Sequence, residues 1–548
     1  MPLKKYQQKS IETLKEYLET LKQFNGNPKN AFISVVSSER DEGLNYNDKY
    51  FDETPFVCMK IPTGGGKTLV ACHSVIEIMD KYLPEKMDKG IILWFAPTEA
   101  IKSQTLKKLK DPQDIHRKAL NEAFDNNIKI FSNEEALRMR KHETEDNLCI
   151  IIASLDAFRK EKQKRGDYRV YRENGELLSF FQDEKEKNYL EKDDSGVIYS
   201  LANVIRLYNP LIIVDEGHKT QTKISIDFLK DLNPSFLVEY TATPRKGSNI
   251  LVNISSQELK QEEMVKIPLV LESKRDWKEV IDDGYLQRKE LEKISKKERE
   301  RIRPIALFQA QQLKEDDKKI TVGKIKDYLI KQKKVPENEI AIKTSEINEI
   351  EGKNLMSSRC KIRYIITVNA LAEGWDCPYA YVLVSVANLG SKIAVEQIIG
   401  RVIRMPHAKR RNNEDLNKSY IFTSTKNFDE AAKQVIKGLE ENGYNEKDVI
   451  SINEKDGKDP FIVEKNVKEN FEIPLFSFNG DRLSFGEHLL GDDFNLSKQD
   501  YKIEFIPPMG EDYRGEIDIT KEGKWWNARE KQLTLNYGRK ENGAPPKL

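Results

Sequence analysis

The chain has 548 residues, enough for roughly three or four domains of ordinary size and for several hydrophobic cores. Charged residues make up 33% of it and hydrophobic residues 38%, a balance that excludes a disordered chain and indicates α/β cores beneath highly charged surface helices. The net charge is only +1, so bulk charge does not predict a nucleic-acid partner, and such a partner would need a local groove.

The cysteines and the N-terminus indicate the compartment. The five cysteines lie far apart without a CxxC pair, so the sequence predicts neither a disulfide framework nor a zinc site. The N-terminal MPLKKYQQKS is not followed by an apolar segment, and no apolar run approaches the ~20 residues that cross a bilayer. We therefore expect a soluble, cytoplasmic protein that has no membrane partner.

The first part of the chain alternates helical stretches with short apolar runs. Residues 1–24 predict an amphipathic helix. The apolar runs that follow end in small or polar residues, which is typical of buried parallel strands that carry functional loops at their carboxyl ends. These runs are residues 90–98, 148–154, 211–217 and 236–244.

After residue 250 the same alternation begins again, with runs at 306–311, 339–345, 364–370, 380–387 and 420–425. Two α/β units in series are the simplest interpretation. We place the first at 1–250, with a charged insertion at 158–200, and the second at 251–440. Residues 441–548 become acidic and irregular and predict an accessory domain of unclear fold. Residues 283–303 predict a long charged helix, for which a solvated surface helix is favoured over a DNA-contacting arm.

The segment IPTGGGKT, residues 61–68, is the strongest single motif. Its glycines, Gly64, Gly65 and Gly66, let the backbone turn tightly so that the amides after Thr63 can point at phosphates. Lys67 would then reach the β- and γ-phosphates of ATP, and Thr68 would bind magnesium. The strict pattern has glycine or alanine where Ile61 stands, and a glycine-rich turn that precedes Lys-Thr by chance is the alternative.

A second motif, LIIVDEGH at residues 211–218, ends a predicted buried strand with two carboxylates. Asp215 can hold the hydration shell of magnesium, and Glu216 can orient or deprotonate the attacking water. Such a pair is weak evidence alone and strong evidence downstream of a P-loop. His218 is interpreted as an interface hydrogen-bonding group rather than a metal ligand.

A third motif, VEQIIGRVIRMP at residues 395–406, places Arg401 and Arg404 on one face of a mostly apolar helix. Two guanidiniums at this spacing suit the γ-phosphate of a nucleotide bound to the first unit. Surface ion pairing is the alternative, but a buried arginine pair needs an anionic partner, which favours arginine fingers.

The order of these motifs resembles that of superfamily-2 DEAD/DEAH-box helicases, which have two tandem RecA-like P-loop NTPase domains. The resemblance also rests on APTEAIKSQT (96–105), Thr-Ala-Thr (241–243), ALAEGWDCP (370–378), QxxGRxxR (397–404) and the N-terminal KKYQQKSI. It implies that ATP binds between two RecA-like domains. It further implies that Gln7 recognises adenine, that Gln397 belongs to the nucleotide site, that Gly374 and Asp376 line the interface, and that Thr241 and Thr243 couple nucleotide to DNA movement.

Within that superfamily the chain is similar to the restriction (Res) subunit of type III restriction-modification enzymes. The similarity lies in GWDCPYAYVLVSVANLGSKIAVEQIIGRVIRMP, SLANVIRLYNPLIIVDEGHK and KIPLVLES. It implies an ATP-dependent motor that moves along duplex DNA, with a modification (methyltransferase) subunit or another defence-system partner. An RNA helicase and a nucleotide-gated binding subunit are the alternatives.

The nuclease domain of that family is not expected in this chain. The segment GEIDITKEGK, residues 515–524, comes nearest to the family's nuclease motif through Glu522 and Lys524, but a chance match is favoured. For Trp525 and Trp526, packing in a core is favoured over stacking on bases.

Overall fold

The computed structural model describes most of the chain up to residue 452 and four short strands beyond it. The described ranges are 3–37, 46–49, 51, 53–87, 89–158, 169–182, 188–216, 228–274, 276–299, 302–311, 319–344, 346–368, 377–386, 402–424, 433, 436–437, 439–440, 443–444, 448–452, 473–478, 481–482, 502–506 and 516–518.

The described helices are α1 (Lys5–Gln23), α2 (Pro28–Ser37), α3 (Lys67–Lys81), α4 (Glu99–Lys110), α5 (Ile115–Ala123), α6 (Asn133–Ala136), α7 (Lys141–Asp146), α8 (Leu201–Leu207), α9 (Ser256–Gln261), α10 (Trp277–Lys297) and α11 (Val322–Lys331). Side chains cap several of them. Thr98, Asp276 and Thr321 each accept a hydrogen bond from a backbone N–H in the first turn of α4, α10 and α11, where the helix itself supplies no acceptor.

The first sheet has seven strands: β1 (Phe56–Lys60), β2 (Gly90–Ala96), β3 (Ile128–Ser132), β4 (Leu148–Ser154), β7 (Leu211–Asp215), β8 (Phe236–Thr241) and β9 (Ile250–Asn253). The small hairpin of β5 (Lys192–Asp193) and β6 (Gly196–Val197) forms a two-stranded sheet of its own. The seven sheet strands run parallel in the order β3-β4-β2-β7-β8-β1-β9. All seven residues of β2 are buried, with Trp94 on one face and Phe95 on the other, because hydrophobic clusters cover both faces. We call this sheet and its helices the first lobe.

The second sheet contains β10 (Leu269–Lys274), β11 (Ile305–Gln309), β12 (Ile340–Lys343), β13 (Tyr364–Thr367), β14 (Ala380–Ser385), β15 (Ser419–Ser424) and β16 (Val449–Ile452). Its order is β12-β13-β11-β14-β15-β10-β16, and its neighbouring strands are parallel. Helix α10 packs across β11, β14 and β15. We call this sheet and its helices the second lobe.

These two sheets confirm the predicted α/β class with two tandem RecA-like domains. The first sheet ends at Asn253 and the second extends to Ile452, so both reach past the predicted boundaries at 250 and 440. The described parts of the predicted insertion form short 3₁₀ turns and the β5–β6 hairpin.

The chain divides into two compact units, Met1–Asp456, which contains both lobes, and Gly457–Leu548. The C-terminal unit therefore begins at Gly457, whereas the sequence placed the start of the accessory domain at residue 441. Its described part is an antiparallel sheet in the order β18-β17-β19-β20, formed by β17 (Ile473–Phe478), β18 (Asp481–Arg482), β19 (Lys502–Ile506) and β20 (Glu516–Asp518).

The charged helix predicted at 283–303 needs a correction. Helix α10 begins at Trp277 and ends at Lys297, and it is not a fully solvated helix, because Val280, Ile281 and Leu291 are buried against the second sheet. Charged residues on its outer face hid this apolar stripe. No described helix is long and apolar enough to cross a membrane.

Candidate active site

The P-loop lies between the end of β1 and the first turn of α3. Gly64 and Gly66 have φ of +87° and +73°, a left-handed conformation that glycine adopts without strain. The buried Ile61 donates its N–H to the carbonyl of Thr241 at 2.9 Å, and a β-carbon on Gly65 would lie 2.6 Å from the Ile61 side chain. Isoleucine is therefore accommodated at this position because it packs beneath the loop.

The structure brings the P-loop lysine and the DEGH carboxylate together. Nζ of Lys67 lies 2.6 Å from Oε1 of Glu216, and both side chains are mostly buried. Glu216 has a φ of +52° and donates its N–H to the carbonyl of Tyr240 at 2.7 Å, which fixes the residue directly after β7. Lys67 can exchange this carboxylate for a phosphate, since both are oxygen anions.

Asp215, the last residue of β7, fits the predicted magnesium site. Its carboxylate is buried, and Oδ1 has no hydrogen-bond partner in the described part of the chain. Burial first, and then the neighbouring Glu216 carboxylate, raise the pKa of Asp215 to about 6. A divalent cation would supply the positive charge that this buried oxygen lacks. Thr68, in the first turn of α3, is the second predicted ligand, and the bound ion would neutralise charge on the phosphates.

Thr241 is the last residue of β8, the strand between β1 and β7, and Thr243 lies two residues beyond it. Thr241 is fully buried, and its hydroxyl accepts the N–H of Thr243 at 3.2 Å. Because the carbonyl of Thr241 also accepts the N–H of Ile61, this segment is hydrogen-bonded to the base of the P-loop. Their coupling role stays a prediction.

The N-terminal helix α1 also touches the P-loop. Gln7 is buried; its Nε2 donates to the carbonyl of Gly65 at 3.2 Å, and its Oε1 accepts the N–H of Lys4 at 3.0 Å. The neighbouring hydroxyl of Tyr6 donates to the same Gly65 carbonyl at 2.7 Å. Recognition of adenine by Gln7 stays a prediction, and the observed contacts hold α1 against the loop.

The second lobe approaches the P-loop at Gly64. A β-carbon on Gly64 would lie 3.3 Å from Cγ1 of Val265 and 3.7 Å from Cγ of Arg404, and these two residues form an isolated antiparallel bridge. The hydroxyl of Tyr444 donates to the carbonyl of Thr63 at 2.5 Å. The structure therefore places the aliphatic part of the Arg404 side chain beside Gly64 of the P-loop.

Behind Arg404 lies the buried ammonium group of Lys266. It donates to the carbonyls of Arg404, Pro378 and Ala380 at 2.6, 2.8 and 3.0 Å, and it lies 4.2 Å from the centre of the Tyr381 ring. These bonds join the segment that carries Arg404 to the start of β14.

Several predicted positions lie outside the described residues, namely His218, Gly374, Asp376, Gln397, Arg401, Glu522, Lys524, Trp525 and Trp526. The sequence analysis missed Tyr6, Tyr444 and Lys266. Tyr6 stands beside Gln7 in KKYQQKSI, so the motif could have identified it. Tyr444 and Lys266 could not be identified in this way, because their hydrogen-bond partners lie far away in the sequence. Thr63 is 381 positions from Tyr444, and Pro378 is 112 positions from Lys266.

Comparison with known families adds one match. Residues 1–246 match the model of the type III restriction enzyme, Res subunit. The chain resembles that Res subunit. Its site motifs resemble those of a helicase-like ATPase motor of the restriction-enzyme type. Comparison with curated proteins finds no match.

Solved structures similar to this Res-like chain include the DNA-bound ATP-dependent Type ISP restriction-modification enzyme LlaBIII (TM-score 0.43, 13% identity, 83% of this chain and 32% of that chain). A fragment of a putative HsdR subunit of a type I restriction enzyme from Vibrio vulnificus is similar with a TM-score of 0.34 and 14% identity, over 72% of each chain. Mss116p bound to ssRNA and AMP-PNP is similar with a TM-score of 0.40 and 13% identity, over 80% of each chain. The chain thus spans about a third of the length of LlaBIII.

Proposed function

We propose that this chain is an ATP-driven motor that moves along duplex DNA in a type III restriction-like or related defence system. The observation that carries the proposal is the 2.6 Å ion pair between Lys67 and Glu216, formed beside a P-loop that Arg404 contacts from the second lobe. Phosphate-binding, water-activating and charge-stabilising groups are thereby gathered around one loop, as phosphoryl transfer requires.

Each group has a role in hydrolysis. Lys67 and the P-loop amides bind the phosphates, and Thr68 and Asp215 hold magnesium with ATP. Glu216 orients the attacking water. Arg404 stabilises the charge that develops on the γ-phosphate, together with Arg401, and such a contribution is typically worth about 10³–10⁵ in turnover.

The choice of duplex DNA over RNA is supported by the Res family match over residues 1–246. The net charge of +1 supplies no bulk attraction, so we place the DNA in a local groove of the motor. The same match supports a modification (methyltransferase) subunit or another defence-system protein as the partner.

The test is steady-state ATP hydrolysis by the purified chain alone, with duplex DNA and with RNA, beside Glu216→Gln. We expect duplex DNA to stimulate hydrolysis and Glu216→Gln to abolish it, because the amide cannot take a proton from water. Glu143→Gln is a matched control, since Glu143 also pairs with a lysine, Lys129 at 3.0 Å, at the far edge of the same sheet.

Stimulation by RNA rather than by DNA would replace the proposal with an RNA motor. Full activity in Glu216→Gln would refute the assignment of the water-activating group, and binding of ATP without turnover by the wild type would indicate a nucleotide-gated binding subunit.

A further inference from the structure

Two tyrosine hydroxyls hold the carbonyl groups of the P-loop. Tyr6 donates to the carbonyl of Gly65 at 2.7 Å from within the first lobe. Tyr444, 381 positions from Thr63 in the sequence, donates to the carbonyl of Thr63 at 2.5 Å. A P-loop binds phosphate through its N–H groups, so these hydroxyls engage the groups that the nucleotide does not use.

Because the peptide group is planar, a hydrogen bond that fixes the direction of its carbonyl also fixes the direction of its N–H. The Thr63–Gly64 and Gly65–Gly66 peptides are trans, and in a planar trans peptide the N–H points opposite to the C=O. Tyr444 therefore sets the direction of the Gly64 N–H, and Tyr6 sets that of the Gly66 N–H. Within the described residues neither N–H has a hydrogen-bond partner, so both can donate to a phosphate.

Tyr444 belongs to the second lobe. Its N–H donates to the carbonyl of Leu439 at 3.0 Å, and five residues later begins β16, which pairs with β10. The preceding Gly443 has a φ of +83°, and a β-carbon there would lie 3.1 Å from Pro62. This glycine permits the close approach that brings the hydroxyl to Thr63.

The Tyr444 hydroxyl keeps its proton and can therefore act as a hydrogen-bond donor. The side chain is 4% exposed, and burial raises the pKa of its phenol well above the ordinary value, so the proton is retained. Tyr6 shares this property, because burial also raises the pKa of its hydroxyl.

We propose that Tyr444 is a positioning residue by which the second lobe orients the Gly64 N–H of the P-loop for phosphate, so that contact between the lobes strengthens nucleotide binding. This inference rests on the proposed ATPase function. Tyr444 does not touch the reacting atoms, and it acts through the Thr63 carbonyl alone.

Tyr444→Phe tests the proposal, because it removes one hydroxyl and keeps the ring. We expect KM for ATP and Kd for ADP to rise about threefold to tenfold, as loss of one hydrogen bond predicts, while kcat stays within about twofold. Tyr420→Phe is the matched control, since that buried hydroxyl donates to the carbonyl of Asp415 at 3.2 Å within the second lobe. It should leave KM and Kd unchanged.

Gly443→Ala provides an independent route to the same contact, because its β-carbon would press on Pro62. It should raise KM at least as much as Tyr444→Phe. Unchanged KM in both variants would overturn the inference, and so would a fall in kcat at unchanged KM, which would mean that Tyr444 acts through Arg404. A wild type that neither binds nor hydrolyses ATP would instead refute the proposed function.

Discussion

At position 66 the backbone has a φ of +73°, and a β-carbon would lie 2.7 Å from Nε2 of Gln7. Two features therefore require glycine at position 66: the left-handed backbone conformation and the close packing of the Gln7 side-chain amide. The same residue precedes α3, so its conformation sets the direction in which the helix leaves the P-loop.

Gly66→Ala should therefore destabilise the fold and also weaken ATP binding. The left-handed conformation costs an alanine roughly 1–2 kcal/mol, and displacement of Gln7 adds to this and distorts the P-loop. We expect KM for ATP to rise by about tenfold or more, equivalent to about 1.4 kcal/mol of binding. Steady-state kinetics and thermal unfolding measure the two effects.

Gly352→Ala separates strain from crowding. Gly352 has a φ of +68° with nothing within 4 Å of an added β-carbon, so it should lower stability and leave KM unchanged. An equal KM for Gly66→Ala and wild type would show that Gln7 and the loop adapt freely.

At the level of single residues, the sequence predicted the features that depend on residues adjacent in the chain. The spacing of Gly64, Gly66 and Lys67 predicted the loop, and an apolar run followed by Asp215 and Glu216 predicted the carboxylates. Tyr444 could not be predicted, because its partner, Thr63, lies 381 positions away and nothing local marks the pair.

Among the elements, α10 shows how a charged helix can be anchored. Gly284 faces the second sheet, where an added β-carbon would lie 2.1 Å from Cγ2 of Val384. The missing side chain lets the helix axis approach β14 closely, and the charged residues of α10 other than the buried Arg288 lie toward its outer face.

Gly284→Ala should destabilise the second lobe, although the same change ordinarily strengthens a helix by roughly 1 kcal/mol. Overpacking costs about 1–3 kcal/mol, so the steric term prevails. Hydrogen exchange of the α10 amides should accelerate, since local opening becomes easier.

Gly323→Ala, in α11, is the matched control. Its added β-carbon would meet only Oγ1 of Thr321, at 3.9 Å, so it should slow exchange in α11 through the gain in helix propensity. Slower exchange in both variants would indicate that Val384 moves aside without cost.

Periodicity predicted most strands because parallel strands are apolar on both faces, as β2 and β4 are. The strands that it did not predict include β3, β9, β10 and β16. In β3 and β10, polar residues such as Lys129 and Glu272 interrupt the apolar run. The apolar stripe of α10 was missed for the related reason that charged residues are frequent along the whole helix.

For the whole molecule, the decisive arrangement is the contact of the second lobe with Gly64 through Val265 and Arg404. A nucleotide between the lobes would meet Lys67 from one and Arg404 from the other. Under the proposed function, the lysine that binds phosphate in the ground state and the arginine that stabilises the transition state therefore come from different lobes.

Arg404→Ala should consequently lower kcat by about 10³ or more and spare binding. With ADP or a non-hydrolysable ATP analogue at 100 times the Kd of the wild type, we expect each ligand to stabilise the variant by about 2.7 kcal/mol, as it does the wild type. A rise in Tm measures this stabilisation. Arg410→Ala, which removes an exposed pair with Glu414, is the control and should leave kcat unchanged. Loss of ligand stabilisation in Arg404→Ala would assign the arginine a structural role.

The lysine behind Arg404 has a mechanical consequence. β14 is the central strand of its sheet, and the ammonium of Lys266 ties its first residues to the arginine segment. Pulling them apart would strand a charge in an apolar core at a cost of several kcal/mol. A force applied to the Arg404 segment would therefore be transmitted to the middle of the second sheet. If the chain is the proposed motor, we expect the flexible part that converts hydrolysis into movement to lie elsewhere in the chain.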